Sequence, residues 1–121
     1  MHRFIQADVL GDHEVLKQHY SVANCSDGIE HLYKADGFRL VERMKEISDK
    51  QILFTPLGEY MVEANNPDPK CHKSGWVPED FPDFASIVCP NWHPTLNIGA
   101  FWFWRCDNLK EEFLRVRKII A

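Results

Sequence analysis

Four consecutive aromatic residues, Phe101-Trp102-Phe103-Trp104, constrain the fold of this 121-residue chain more than any other stretch. In an extended strand, successive side chains point to opposite faces, so Phe101 and Phe103 share one face while Trp102 and Trp104 share the other. One pair can then enter the core while the other meets a second layer, a ligand or a partner. We therefore predict that Leu96 to Arg105 form a central strand of a sheet.

Length and composition predict one soluble domain. A chain of 121 residues, 45% of them hydrophobic, is long enough for one core and too short for two ordinary domains. Its longest apolar runs fall far below the ~20 residues that a membrane helix needs. The first ten residues include Arg3, Gln6 and Asp8, which interrupt the apolar region of a secretory signal. We expect a cytoplasmic protein without a membrane segment, with its four cysteines as free thiols.

The net charge of -4 lies in the amino-terminal half, where residues 1–64 hold seven Lys/Arg against eleven Asp/Glu. An acidic surface repels phosphate backbones, so nucleic acid is an unlikely partner. A protein partner or a small, cationic ligand fits this charge better.

Two helices are predicted in the amino-terminal region. The first follows the turn Gly11-Asp12, with its apolar residues at helical spacing. The second begins at Ser26-Asp27, where Glu30 completes a capping-box pattern, and ends near Asp36, because Gly37 suits a left-handed helix end. The apolar positions of the first helix are Val15, Leu16, Tyr20 and Ala23.

The rest of the chain predicts strands and a final helix. Residues 38–47 fit a helix and a strand equally well, whereas Gln51 to Thr55 and Ala85 to Cys89 are typical of strands. A helix from about Asn108 is predicted by its capping box and its apolar face. We therefore expect an α+β domain over residues 1–121, in which N-terminal helices and a C-terminal helix pack on an antiparallel sheet of three to five strands. An edge strand near 51–55 would also permit a homodimer.

A long irregular connection is predicted over residues 65–84, which contain four of the seven prolines. Long loops in compact domains are often functional. This loop carries Trp76, and a shorter loop between Pro90 and Pro94 carries Trp92 and His93. Tryptophan offers a flat apolar face and one hydrogen-bond donor, which suits ligand or partner contacts. The predicted aromatic contact surface therefore comprises Trp76, Trp92, His93, Trp102 and Trp104.

Metal and thiol chemistry are alternatives centred on Cys71, His72, Cys89 and His93, which together offer the ligand types of a zinc site or of a Cys/His nucleophile pair. Adjacent Cys71 and His72 are poorly placed for one ion, and the chain contains no CxxC pair. His13, His19 and His31 lie on the predicted helices without a ligand-type partner at i+4. No cofactor and no complete catalytic set are predicted.

One segment resembles a known family. Gly37-Phe-Arg-Leu-Val-Glu-Arg, with Asp49-Lys50-Gln51 and Phe54-Thr-Pro-Leu-Gly-Glu, is similar to the wing and the following helix start of winged helix-turn-helix regulators. This resemblance covers about a quarter of the chain and implies a transcription regulator with 37–64 as its wing region. The implied recognition helix, 27–36, carries three acidic residues against the single Lys34, which disfavours contact with phosphates.

The favoured hypothesis is a small non-catalytic binding or adaptor protein, of the kind found among bacterial accessory or phage proteins. It would contact a protein or a small ligand through its aromatic loop surface. The winged-helix regulator and a zinc- or thiol-dependent enzyme using Cys71, His72, Cys89 and His93 are the alternatives.

Overall fold

The computed structural model describes residues 4–59, 61–91 and 99–106. In these ranges the chain forms one α-helix and a four-stranded sheet, together with three short 3-10 helices. The regular elements are β1 (Tyr20–Ser26), α1 (Lys34–Ile47), β2 (Ser48–Pro56), β3 (Ala85–Cys89) and β4 (Ala100–Cys106). The predicted mixture of helix and sheet in a small α+β fold is confirmed, and four strands lie within the predicted range.

The sheet is mixed, with strand order β1-β2-β4-β3. β1 pairs with β2 in parallel, and α1 connects them, as a crossover between parallel strands requires. β4 pairs antiparallel with both β2 and β3. The expectation of an antiparallel sheet is therefore wrong for the β1–β2 pair. The parallel pairing places the carboxyl ends of β1 and β2 at the same edge of the sheet.

The aromatic run occupies β4, which lies between β2 and β3, so its predicted interior position is confirmed. Phe101 and Phe103 are buried, whereas Trp102 is 38% exposed. Burial of each phenylalanine side chain stabilises the fold by about 1.5–3 kcal/mol. The strand therefore shows the predicted alternation, with Phe101 and Phe103 on the buried face and Trp102 on the other face.

The prediction of N-terminal helices is wrong among the described residues. Only the 3-10 turn Glu14–Lys17 forms in the first predicted helix, and Tyr20–Ser26 is a strand. Pairing with β2 along the whole of β1 satisfies the backbone of this segment, and this tertiary pairing outweighs the helical spacing of its apolar residues.

The second predicted helix is also misplaced, because α1 begins where that helix was expected to end. Gly37 lies within α1 and is buried. A Cβ atom there would lie 2.3 Å from the Trp76 ring, so the glycine admits the indole rather than ending the helix. Residues 38–47, left open by periodicity, are helical, which excludes a β wing over them.

The core lies between α1 and one face of the sheet. α1 contributes Leu40, Val41 and Met44, and the sheet contributes Leu53, Phe101 and Phe103. Trp76 enters the same core from the connection between β2 and β3, where its ring stacks on Phe81 at a centroid distance of 5.2 Å. In the described part of this connection, residues 65–84 contain no regular element beyond the 3-10 turn Pro78–Asp80, as their proline content predicts.

β2 lies between β1 and β4, so it is not the edge strand on which the homodimer prediction drew. None of the helices in the described ranges is long and apolar enough to cross a bilayer. The predicted C-terminal helix from Asn108 lies outside the described residues, as do Trp92 and His93.

Candidate metal centre

The turn after β1 brings two polar residues to the carboxyl edge of the parallel strands. Asp27 adopts a left-handed conformation with φ 53°, which aspartate tolerates better than most residues, and its N–H donates to the Phe54 carbonyl. The 3-10 turn Ile29–His31 follows immediately. Ile29 is buried in the core, and the turn presents Glu30 and His31 beyond the end of the sheet.

Glu30 is a buried acid, with 2% of its surface exposed. The hydroxyl of Thr55, near the end of β2, donates to Glu30 Oε2 over 2.9 Å, and Thr55 itself is fully buried. A carboxylate removed from water needs such donors or a nearby positive charge. This bond fixes one carboxylate oxygen on the sheet and leaves Oε1 to face His31, whose Nε2 lies 3.9 Å away.

A second segment, which belongs to the connection after β2, is hydrogen-bonded to this turn. The backbone N–H groups of Lys73 and Ser74 donate to the Glu30 carbonyl over 2.7 and 3.2 Å. The Ser74 hydroxyl donates to the Leu32 carbonyl and accepts from the indole N–H of Trp76. These bonds hold segment 73–76 against residues 29–32 and so fix the position of the neighbouring His72.

The close packing of segment 73–76 also requires a glycine at position 75. A Cβ atom on Gly75 would lie 2.5 Å from the carbonyl oxygen of Gly58, so any side chain would separate this segment from the end of β2. Close approach of two backbones explains why glycine is required here.

The imidazoles of His31 and His72 meet at this position, with ring centroids 4.9 Å apart and ring planes perpendicular. Nδ1 of His31 lies 3.3 Å from the Cys71 carbonyl oxygen, which can only accept a hydrogen bond. Nδ1 therefore carries the proton in this bond, which in the neutral imidazole leaves the lone pair on Nε2. Metal-binding histidines commonly donate their other N–H to a backbone carbonyl in this way.

Glu30, His31 and His72 form a candidate metal centre, since one ligand atom from each lies within 4.8 Å of the others. Two imidazoles and one carboxylate are the protein ligands of several catalytic zinc sites and of the facial triad of non-haem iron enzymes. Ligand atoms around a tetrahedral zinc ion lie about 3.4 Å apart, so these side chains have to close by roughly an ångström around an ion. Three protein ligands leave at least one coordination position for water or substrate.

The residues predicted from the sequence are distributed differently. His72 belongs to the centre, and Cys71 contacts His31 through its carbonyl oxygen and not through its thiol. A hydrogen bond to the Glu63 carboxylate raises the pKa of the Cys71 thiol, which favours the protonated form over the thiolate that metals bind. Cys89 ends β3 and joins no metal-capable group among the described residues.

The predicted aromatic surface is divided between core and exterior. Trp76 is fully buried, and its ring lies beneath the Lys34 ammonium at 3.9 Å, so it offers no surface to a partner in this conformation. Trp102 is partly exposed on the opposite face of the sheet and packs against Phe54 at a centroid distance of 4.4 Å. Trp104 lies two residues further along the same strand and is half-buried.

A separate apolar cavity of about 290 Å³ lies between β1, α1 and the segment before β1. Ala23, Leu40 and Met44 supply much of its wall. Cys25 also lines it, and burial, with a further contribution from the charge of Glu30, raises the pKa of its thiol. Arg43 at its rim donates to the carbonyls of Val9 and Gly11 and so holds the N-terminal segment over it.

Sequence reasoning did not identify Glu30 and His31 as ligands. The sequence pattern places Glu30 in a capping box, and His31 lacks a ligand-type partner at i+4, because its partner His72 is 41 residues away. The dipeptide Asp27-Gly28 is a turn signal and could have indicated that a strand ends there. It would have placed Glu30-His31 in a loop after a strand, where functional residues concentrate.

The fold is similar to part of a much larger solved structure. Over 84% of this chain, the structure superposes with a TM-score of 0.51 and 16% sequence identity on 15% of a chain described as "Crystal structure of small RNA methyltransferase HEN1". The chain thus corresponds to a small part of that protein's length, and the likeness concerns the fold. No protein-family model matches the chain, and no curated protein sequence matches it.

Proposed function

We propose that this chain carries the metal-binding part of a methyltransferase domain, with Glu30, His31 and His72 as the metal ligands. The cluster of these three residues at the carboxyl edge of β1 and β2 is the observation that carries the proposal. Methyl transfer is the reaction we propose, because the fold is similar to part of a chain named as a small RNA methyltransferase.

The location of the cluster supports a functional role. In open sheets with parallel strands, ligands bind outside the carboxyl ends of the strands. Glu30 and His31 follow β1, and His72 lies in the connection that follows β2, so the ligands come from the two segments that leave this edge. Residues that only stabilise a core do not require two half-buried imidazoles beside a buried carboxylate.

The chemistry of these ligands favours a divalent first-row transition ion such as Mn²⁺, Co²⁺ or Zn²⁺. Such an ion would supply Lewis-acid chemistry towards an acceptor hydroxyl. In methyl transfer from a sulfonium donor, the carbon–sulfur bond breaks and a carbon–oxygen bond forms. The sulfur leaves as a neutral thioether, and the hydroxyl proton passes to solvent. Glu30, His31 and His72 would hold the ion in this scheme and so fix where the acceptor hydroxyl is presented.

RNA is the acceptor to test first, because the similar solved structure is named as a small RNA methyltransferase. The acidic amino-terminal half of the chain disfavours a long contact with a phosphate backbone. We therefore propose that a short region of RNA presents its hydroxyl group to the ion.

Metal binding is the first part of the test. The protein is stripped with a chelator and titrated calorimetrically with Mn²⁺, Co²⁺ and Zn²⁺. We expect one equivalent to bind to the wild type and the affinity to fall at least tenfold in His31→Ala and His72→Ala. His19→Ala is the matched control, because His19 is an exposed histidine paired with Asp49 outside the cluster. Equal affinity in the wild type and both cluster variants would reject the centre.

Methyl transfer is the second part. Radiolabelled S-adenosylmethionine is incubated with short RNAs and the protein, with and without chelator. We expect labelled RNA only when the metal is present and when both histidines are intact. Metal binding at the centre without labelled RNA would reject the RNA methyltransferase and retain the metal site.

The second candidate function is the binding protein favoured by the sequence, and the apolar cavity supports a small apolar ligand for it. Native mass spectrometry of freshly purified protein tests this directly. An organic adduct that disappears in Ala23→Leu, which fills the cavity wall, would support this function. A wild-type protein without an adduct would count against it.

A further inference from the structure

Thr55 in β2 makes the hydrogen bond that joins the sheet to the Glu30 carboxylate of the candidate metal centre. Its hydroxyl donates to Glu30 Oε2 over 2.9 Å, and both residues are buried, so water does not compete for this bond. A hydrogen bond between a neutral hydroxyl and a carboxylate is stronger than one between neutral groups. Glu30 therefore presents its other oxygen, Oε1, towards His31.

We infer that Thr55 is a positioning residue that keeps Glu30 a monodentate ligand with a fixed orientation. This inference depends on the metal centre proposed above. A carboxylate whose second oxygen is engaged by a buried donor offers one oxygen to an ion. Without that donor, the carboxylate can rotate, bind through both oxygens or turn away from the ion.

The position of Thr55 in β2 supports its role in orienting the Glu30 carboxylate. Thr55 pairs with Phe101 of β4 near the end of β2, so its backbone is held in the sheet while its hydroxyl reaches the Glu30 carboxylate. The backbone of Glu30 is fixed independently by the N–H groups of Lys73 and Ser74. Replacement of the Thr55 hydroxyl therefore changes the orientation of the Glu30 carboxylate without releasing its backbone.

The test compares Thr55→Val, which removes the donor at nearly constant volume, with Thr55→Ser, which keeps it. Co²⁺ binding is measured by calorimetry and by the visible absorption spectrum of the bound ion. We expect a 10- to 100-fold loss of affinity in Thr55→Val, the range seen when outer-shell partners of metal ligands are removed, and a changed spectrum. Thr55→Ser should restore most of the affinity and the wild-type spectrum.

A purely structural role of Thr55 is separated by repeating the substitution in a Glu30→Gln background. If Thr55 acts through the carboxylate, Thr55→Val should have no effect on the residual affinity of the two histidines. An equal loss in both backgrounds would overturn the inference. Circular dichroism checks the fold, and Thr55→Ala replaces Thr55→Val if the latter does not fold.

The remaining outcomes separate this inference from the proposed function. A wild type that binds no Co²⁺ would overturn both the metal centre and the role of Thr55. A wild type that binds Co²⁺, with Thr55→Val binding it equally well and with the same spectrum, would overturn the role of Thr55 alone.

Discussion

Glu30 is the residue whose environment most needs explanation, because a carboxylate with 2% exposure is costly unless it is compensated. Thr55 supplies one hydrogen bond, and two imidazoles stand on the other side. A bound cation would add the missing positive charge. Burial of the Glu30 charge therefore destabilises the turn after β1 when no cation is bound, and the same burial makes Glu30 a strong ligand for a cation.

The first prediction follows from this compensation. Zn²⁺ at 100 times its dissociation constant should stabilise the wild type by about 2.7 kcal/mol, because the ion binds the folded state. Glu30→Gln should lose this gain, since it keeps the shape of the side chain and removes the charge. Thermal unfolding with and without Zn²⁺ measures both. An equal rise in melting temperature for the variant would contradict the assignment of Glu30.

Cys25 gives a prediction about pH. Burial, followed by the negative charge of Glu30, raises the pKa of its thiol above the ordinary value of 9.0. At any pH near 8, Cys25 therefore holds less thiolate in the folded protein than in the unfolded chain, and it should react more slowly with iodoacetamide. Mass spectrometry of the alkylated peptide, with the urea-unfolded protein as control, measures this difference.

The same shift has a consequence for stability. Because the folded pKa is raised, the stabilising effect of the protonated thiol is complete below the unfolded value and is lost as pH rises through the folded one. Equal alkylation rates for Cys25 in folded and unfolded protein would contradict the burial of this thiol.

At the scale of elements, the strands were easier to predict than the helices. β2, β3 and β4 were found because their β-branched and aromatic residues fit a pleated, buried surface. The helical spacing of the apolar residues in β1 predicts a helix, and only the parallel pairing with β2 makes this segment a strand. That pairing joins residues more than 25 positions apart, which local periodicity cannot detect.

Local sequence preference is also misleading in α1, where packing of Gly37 against Trp76 gives a third prediction. In a helix interior, glycine is about 1 kcal/mol less favourable than alanine, so propensity alone predicts that Gly37→Ala stabilises the protein. The structure predicts the opposite, because the new Cβ would lie 2.3 Å from the ring of Trp76. We expect a net loss of about 1–3 kcal/mol from overpacking.

Urea unfolding measures this loss. Glu46→Ala is the control, since Glu46 lies on the exposed side of α1 and its removal should change stability by less than about 0.5 kcal/mol. A Gly37→Ala protein more stable than the wild type would show that Trp76 does not pack against this turn of the helix.

At the scale of the whole molecule, the candidate site is a product of topology. The parallel β1–β2 pair directs two chain segments to one edge, and the bonds of Lys73 and Ser74 to Glu30 fasten those segments together. The sequence predicted His72 as a possible ligand together with Cys71, Cys89 and His93, whereas the described residues place it beside Glu30 and His31. His31 and Glu30 become its neighbours only when the sheet is assembled, so no spacing rule within a segment identifies them.

The most direct test of the proposed centre is a crystal of the protein soaked in Mn²⁺ and measured for anomalous scattering. We predict one strong difference peak at roughly 2.0–2.3 Å from the ligand atoms of Glu30, His31 and His72. The Glu30→Gln crystal, soaked in the same way, should show that peak weakened or absent. A wild-type crystal with no peak between these three side chains would contradict the account.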